Sequence, residues 1–258
     1  MAALEEYTAE EFADRLQTIQ RELLIAGNPR IPDKPQAYLL GGQSGAGKTT
    51  LHKLLSQQLE KGAIVINGDS FRKYHPRFYE LQEQYGDKSV DYTAPWSGRM
   101  TEALIDALSR IGYNLIIEGT LRTAEVPLST AEKLRQRGYA VSLALMAVKP
   151  EISLISCQLR YHQMRLAGTT PRATDPRHHM KIVDQIVQNL AVLEDSGQFD
   201  AIQLYTRSRE CLFPRAGEDR RASEVLEQAL FGPWTEEERQ HYQALQAKLE
   251  HIQSEASL

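Results

Sequence analysis

The chain is poor in cysteine. Its 258 residues include two, Cys157 and Cys211, too few for a disulfide framework, and neither has a Cys or His neighbour at zinc-ligand spacing. Cys157 reads as a small buried hydrophobe. No stretch approaches ~20 consecutive apolar residues, so no membrane span is expected. The opening MAALEEYTAEEF is acidic and lacks an apolar run, so no signal peptide is expected and the default compartment is the cytoplasm. A large charge of one sign is also missing. The net charge of −4 gives no global pull toward nucleic acid or a membrane surface. Internal repeats and low-complexity tracts are absent, and the composition carries no disorder signature. The length fits one large domain, or one domain with a small appendage.

What is present alternates. Short apolar runs at 37–42, 63–67, 113–119, 139–148 and 199–205 read as strands. Amphipathic stretches at 8–26, 48–61, 98–112, 125–137, 150–167 and 176–196 read as helices, and two more helices close the chain. Thr8 with Glu11, and Thr235 with Glu238, have capping-box spacing. This alternation predicts an α/β fold, with a parallel β-sheet flanked by helices on both faces. The expected divisions are an N-terminal helix and linker over 1–35, a core over 36–232 and a C-terminal helix over 233–258. The polar, aromatic region 68–97 is expected to hold loops and a short helix.

Chemistry enters at Gly42-Gln43-Ser44-Gly45-Ala46-Gly47-Lys48-Thr49, followed by Thr50. This is G-x-x-x-x-G-K-[ST], preceded by a strand and followed by a helix. The glycines let several backbone N–H groups aim at phosphate oxygens, and the helix start adds its positive end. Lys48 neutralises the outer phosphates as a point charge, and the Thr49 hydroxyl suits Mg²⁺. The motif argues for ATP or a similar nucleotide and leaves the reaction open.

The companions narrow the choice. No N-K-x-D guanine reader is present, which disfavours a GTP switch. Glu118 ends a strand where a metal-binding or water-activating acid could stand, but a motor needs further coupling parts. A small-molecule kinase needs a carboxylate base, an acceptor pocket and arginines to clamp the moving phosphoryl group. Asp69, just past the second strand, serves as that base, caps the helix after it, or does both. Arg160 is a candidate clamp against a solvated surface role, with Arg165 competing. Arg172 lies in the loop that follows. Trp96, Tyr85 and Tyr92 either pack a loop or stack a base. Adjacent His178 and His179 point about 100° apart on a helix and chelate poorly, so they read as a solvated helix start. Tyr242, Leu245, Leu249 and Ile252 form an apolar stripe that packs on this chain's own core or on a partner.

Five separated motifs, GGQSGAGKTT, INGDSFRKYHP, LIIEGTLRT, LRYHQ and PRATDPRHH, occur in an order that resembles the zeta toxins of epsilon/zeta toxin–antitoxin systems, from about residue 36 to about residue 235. The resemblance implies a P-loop kinase core that phosphorylates UDP-N-acetylglucosamine at the 3′-hydroxyl of the amino sugar and so blocks peptidoglycan synthesis. It implies that Lys48 and Thr49 handle ATP and Mg²⁺ and that Asp69 is the general base. It also implies that Glu102, Glu118, Thr120 and Arg122 bind the acceptor and that Arg160 and Arg172 clamp the phosphates. A small helical antitoxin that blocks the ATP site is the implied partner. The same kinase fold acting on another nucleotide-sugar or small acceptor is the alternative.

Overall fold

A computed structural model describes residues 3–217 and 219–255. The chain opens with α1 (Ala9–Gly27), β1 (Gln36–Gly41), α2 (Lys48–Gln58) and β2 (Ile64–Ile66). The short helices α3 (Gly68–Phe71), α4 (Phe78–Tyr85) and α5 (Ser89–Tyr92) lead to α6 (Ala94–Ile111) and β3 (Leu115–Glu118). Then come α7 (Glu125–Arg135), β4 (Ala140–Met146), α8 (Pro150–Leu166), α9 (Pro176–Asp195), β5 (Ala201–Tyr205), β6 (Cys211–Phe213), α10 (Ala222–Phe231) and α11 (Glu236–Glu255). Both expected capping boxes form. Thr8 Oγ1 accepts from Glu11 N, and Glu11 Oε2 from Thr8 N, at 3.1 and 2.8 Å. Thr235 and Glu238 repeat the exchange at the same two distances.

The strands lie in the order β2-β3-β1-β4-β5-β6. The first five pair in parallel, and β6 is antiparallel to β5. The parallel sheet flanked by helices is as expected, and β6 is an addition to the five expected strands; three residues are too few to show a period. Helix α6 starts four residues ahead of the predicted boundary because Pro95 fits the first turn, where no N–H partner is needed. The region 68–97 holds three short helices where one was expected.

Alternate side chains on each strand go to opposite faces. Leu39, Leu115, Ile117, Leu143 and Leu145 bury against α6, α9 and α1, which adds Phe12 and Ile19. Leu40, Ile116, Ala144 and Met146 bury with Leu51 and Leu55 of α2 and Ile152 of α8. Each full burial of such a Leu or Ile contributes about 1.5–3 kcal/mol. Trp96 is inside this core, edge-on to Tyr7, Phe12 and His75, and Tyr85 stacks on Tyr92 with ring centroids 3.9 Å apart. These aromatic rings pack the loop region. Helix α11 lies along α8, with Ile252 buried and Tyr242 and Leu245 against the second core cluster. Its apolar stripe is therefore used within the chain.

This topology places the site. The chain leaves β1 toward β3 and β2 on one side and later toward β4 and β5 on the other. That switch opens a crevice at the carboxyl ends of the central strands. The turns after β1, β2 and β3 meet there.

Candidate active site

The turn after β1 forms the cradle. Gly42, Gly45 and Gly47 have φ of +130°, +78° and +97°, a region that costs an L side chain energy. Gly45 also presses on α8: a Cβ there would lie 2.0 Å from Ser153 O and 2.8 Å from Cys157 Sγ. Gly45→Ala is therefore expected to lower stability by about 2–5 kcal/mol, combining left-handed strain with overpacking against backbone. Urea unfolding measures it, and a loss under ~1 kcal/mol would show that the loop has room to shift.

Lys48 opens α2 and is only 8% exposed. Its Nζ donates to Gly42 O at 2.7 Å and Gln43 O at 3.1 Å and lies 4.0 Å from Glu118 Oε1. Burial holds its pKa below the ordinary lysine value, against the opposing pull of Glu118 and Asp69. Ala46 is buried, while Ser44 and Thr50 are half-buried and Thr49 is exposed in the first turn of α2.

Glu118 ends β3. Asn67 Nδ2 donates to its Oε2 at 2.9 Å, and His52 Nε2 lies 3.0 Å from the same oxygen. Burial alone would raise its pKa, but His52 and Lys48 outweigh burial and hold the carboxyl below its ordinary value.

Asp69 sits in the first turn of α3. The cap of that helix is Asn67, whose Oδ1 accepts from Asp69 N at 3.0 Å. This overturns the reading of Asp69 as the cap and leaves its carboxylate free of that duty. The side chain is 54% exposed and pairs with Arg72 Nε at 3.1 Å. Arg72 Nη1 in turn donates to Val90 O at 2.6 Å and Thr93 Oγ1 at 3.0 Å. Asp69 favours the Lys48 ammonium and disfavours the Glu118 carboxylate. The three charges thus lie within electrostatic reach of one another.

Arg160 projects from α8 and disfavours the Lys48 ammonium, so the two cations are neighbours. Its Nε is buried and has no hydrogen-bond partner. A buried guanidinium N–H without an acceptor is costly, and a phosphate oxygen is the acceptor that suits it. With the glycine cradle and Lys48, this fits a triphosphate. The competitor Arg165 is exposed beside Tyr161. Arg172 is half-buried in the turn between α8 and α9. Among the described residues no three His, Cys, Asp or Glu side chains form a metal cage. Mg²⁺ commonly binds through one or two protein oxygens plus phosphates and water, and Thr49 with Glu118 offers such oxygens.

Thr120, half-buried, and Arg122, exposed, follow Glu118 on the same edge. Leu121 between them holds φ +57°, an uncommon backbone state that marks this turn as held by its surroundings. Glu102 is exposed on α6, next to Thr101, whose hydroxyl would be 2.9 Å from a Cβ at Gly68. Among the described residues no salt bridge ties Glu102, Arg122 or Arg172 to the Lys48 cluster.

Four participants escaped the sequence reading. His52 stands one helical turn beyond Lys48, a spacing that could have found it. Asn67 and Arg72 flank Asp69. His179 was read as solvated and is instead fully buried; only His178 is exposed. The turn of α9 that carries His179 lies beneath the cradle, so the ring faces inward.

Burial lowers the pKa of His179 and of buried His75 from the ordinary 6.5. The unfolded chain takes up these protons from about pH 6.5 downward, and the folded chain only at lower pH. Their contribution to stability is complete above that window and is lost as pH falls through it. Tm is therefore expected to drop as pH falls below about 6.5, ahead of carboxylate titration, and less so in His75→Gln. An unchanged slope in that variant would remove His75 from the account.

Known proteins resemble this chain along most of its length. The Zeta toxin family profile matches residues 23–218. The chain is 41% identical over 250 residues to Toxin PezT of Streptococcus pneumoniae serotype 4, covering 96% of this chain and 98% of that one. It is 40% identical over 208 residues to Toxin zeta of Streptococcus pyogenes, covering 80% and 72%. A solved chain from the PezAT chromosomal toxin–antitoxin system of Streptococcus pneumoniae superposes with a TM-score of 0.89 at 39% identity, over 97% of this chain and all of that one. A chain of the AvrRxo1-ORF1:AvrRxo1-ORF2 complex with ATP shares the fold at 13% identity and a TM-score of 0.55, over 94% and 88%. With the cradle, the strand order and this agreement along nearly its whole length, the chain is a P-loop kinase-like protein and belongs to the zeta toxin family.

Proposed function

We propose that this chain transfers the γ-phosphoryl group of ATP to the 3′-hydroxyl of UDP-N-acetylglucosamine, in the cytoplasm, and so withdraws that sugar from peptidoglycan synthesis. The observation that supports the kinase reading is the clustering of charges around Lys48. Half-exposed Asp69, Glu118 and Arg160, whose Nε is unpartnered, all lie within electrostatic reach of buried Lys48. The cradle backbone, Lys48 and Thr50 hold the phosphates. Thr49 and Glu118 would hold Mg²⁺, which would supply charge neutralisation of the phosphates. Asp69 takes the proton of the attacking hydroxyl. The sugar oxygen bonds to the γ-phosphorus, the bond to the β–γ bridging oxygen breaks, and ADP leaves with that electron pair. Arg160 and Arg172 neutralise the charge that spreads over the moving phosphoryl group. Glu102, Thr120 and Arg122 line the acceptor side and accept from or donate to the sugar and its diphosphate.

The amino sugar as acceptor rests on family membership, and the test is direct. Purified protein with ATP, Mg²⁺ and UDP-N-acetylglucosamine is expected to give a new phosphomonoester signal by phosphorus NMR. Turnover with a different nucleotide-sugar alone would keep the kinase and move the acceptor. Tight ATP binding without turnover on any acceptor would reduce the chain to a nucleotide-dependent binding module. The PezAT relative comes from a toxin–antitoxin system, and by extension a small helical antitoxin covering the ATP cleft is the proposed partner. No helix among the described residues is long and apolar enough to cross a membrane, and neither a lipid nor a nucleic acid is invoked.

A further inference from the structure

Behind the cradle lies a polar cluster that the phosphoryl-transfer chemistry does not use. Gln43, Ser153 and His179 are all fully buried, and they come from three elements: the turn after β1, the first turn of α8 and the first turn of α9. Ser153 Oγ is the hub. It donates to Pro150 O at 2.8 Å, accepts from Gln43 Nε2 at 3.1 Å and lies 2.9 Å from His179 Nε2. A hydroxyl has one proton to give. Since that proton goes to Pro150, the imidazole nitrogen facing Ser153 is the donor.

The relay continues into the site. Gln43 Nε2 also donates to Val148 O at 2.7 Å, which fixes the residue, and the Gln43 backbone carbonyl accepts from Lys48 Nζ at 3.1 Å. On the other side, His179 N donates to Asp175 O at 2.9 Å, three residues beyond Arg172. One hub thus joins the cradle to the helix that carries Arg160 and to the helix that follows Arg172. Gln43 Oε1 and His179 Nδ1 are buried without a hydrogen-bond partner, so the cluster is costly to hide even with the bonds it makes. Apolar residues would fill the space more cheaply, but would not fix the loop's orientation.

We propose that His179 is a positioning residue which, through Ser153 and Gln43, sets the posture of the cradle and of Lys48 for a nucleoside triphosphate. This rests on the reading of the cradle as a triphosphate site. The test is calorimetric binding of a non-hydrolysable ATP analogue with Mg²⁺ to the full chain, alongside kinetics. Wild-type binding is the control: its failure would refute the nucleotide reading itself, before any variant is compared. His179→Ala and Ser153→Ala are each expected to weaken the analogue ~10-fold, the equivalent of one lost buried bond, and to raise KM for ATP with kcat little changed. The double variant is expected to be no worse than the poorer single one, because the residues act as a unit. His179→Gln, which keeps a neutral donor, is expected to recover most of the loss. Ser153→Ala is nearly isosteric and supplies the result should the histidine variant fail to fold. Single variants that bind within about twofold of wild type, losses that multiply in the double variant, or a glutamine no better than alanine would each overturn the proposal.

Discussion

Asp69→Asn is expected to lower kcat by about 10²–10⁴ while leaving ATP binding within a few-fold of wild type. The substitution is narrow. An amide oxygen still accepts from Arg72 Nε, which lies 3.1 Å from Asp69 Oδ1, so the side chain keeps its place. What it loses is the capacity to take a proton. Stability should barely move, because a half-exposed ion pair is worth about 0–1 kcal/mol and the helix cap belongs to Asn67. The measurement is kcat on the phosphosugar assay beside analogue binding. A variant that keeps wild-type turnover would move the base elsewhere. Glu118 is the other carboxylate beside Lys48, yet Asn67 and His52 already occupy one of its oxygens, and Lys48 and His52 hold its pKa down.

The contrast between these two carboxylates shows how far the sequence could be read. Glu118 and Asp69 both stood at strand ends, and strand ends in a parallel sheet converge on one edge. Position was therefore legible, as was the cradle, because glycine spacing encodes the positive φ of Gly42, Gly45 and Gly47. The difference in environment was not. Glu118 takes its partners from positions 51 and 66 residues away, and Arg72 is anchored at Val90 and Thr93. Such pairings belong to the tertiary fold, and no local period announces them. His179 shows the same limit. Two histidines opening a helix look solvated until the cradle is seen to lie over one of them. The edge strand β6 escaped for a simpler reason, since three residues carry too little pattern.

Arg160 tests the site from the other side, through stability. Its Nε is buried with no acceptor, and an unsatisfied buried donor costs the fold about 1–3 kcal/mol. An apolar side chain of similar length would fill the same space without an orphaned N–H. Arg160→Met is therefore expected to leave stability unchanged or raise it. The same variant is expected to lose about 10³–10⁵ in kcat, the scale set by arginines that stabilise a transferring phosphoryl group. Arg160→Lys should recover only part of this, since a lysine supplies charge without the planar fork. Opposite signs for stability and rate distinguish a group held in strain for its substrate from one that supports the fold. A methionine variant that loses more than ~1 kcal/mol in urea unfolding, yet turns over within tenfold of wild type, would make Arg160 a structural residue. The clamp would then pass to Arg172 alone, and the proximity of Arg160 to Lys48 would be electrostatic cost without catalytic return.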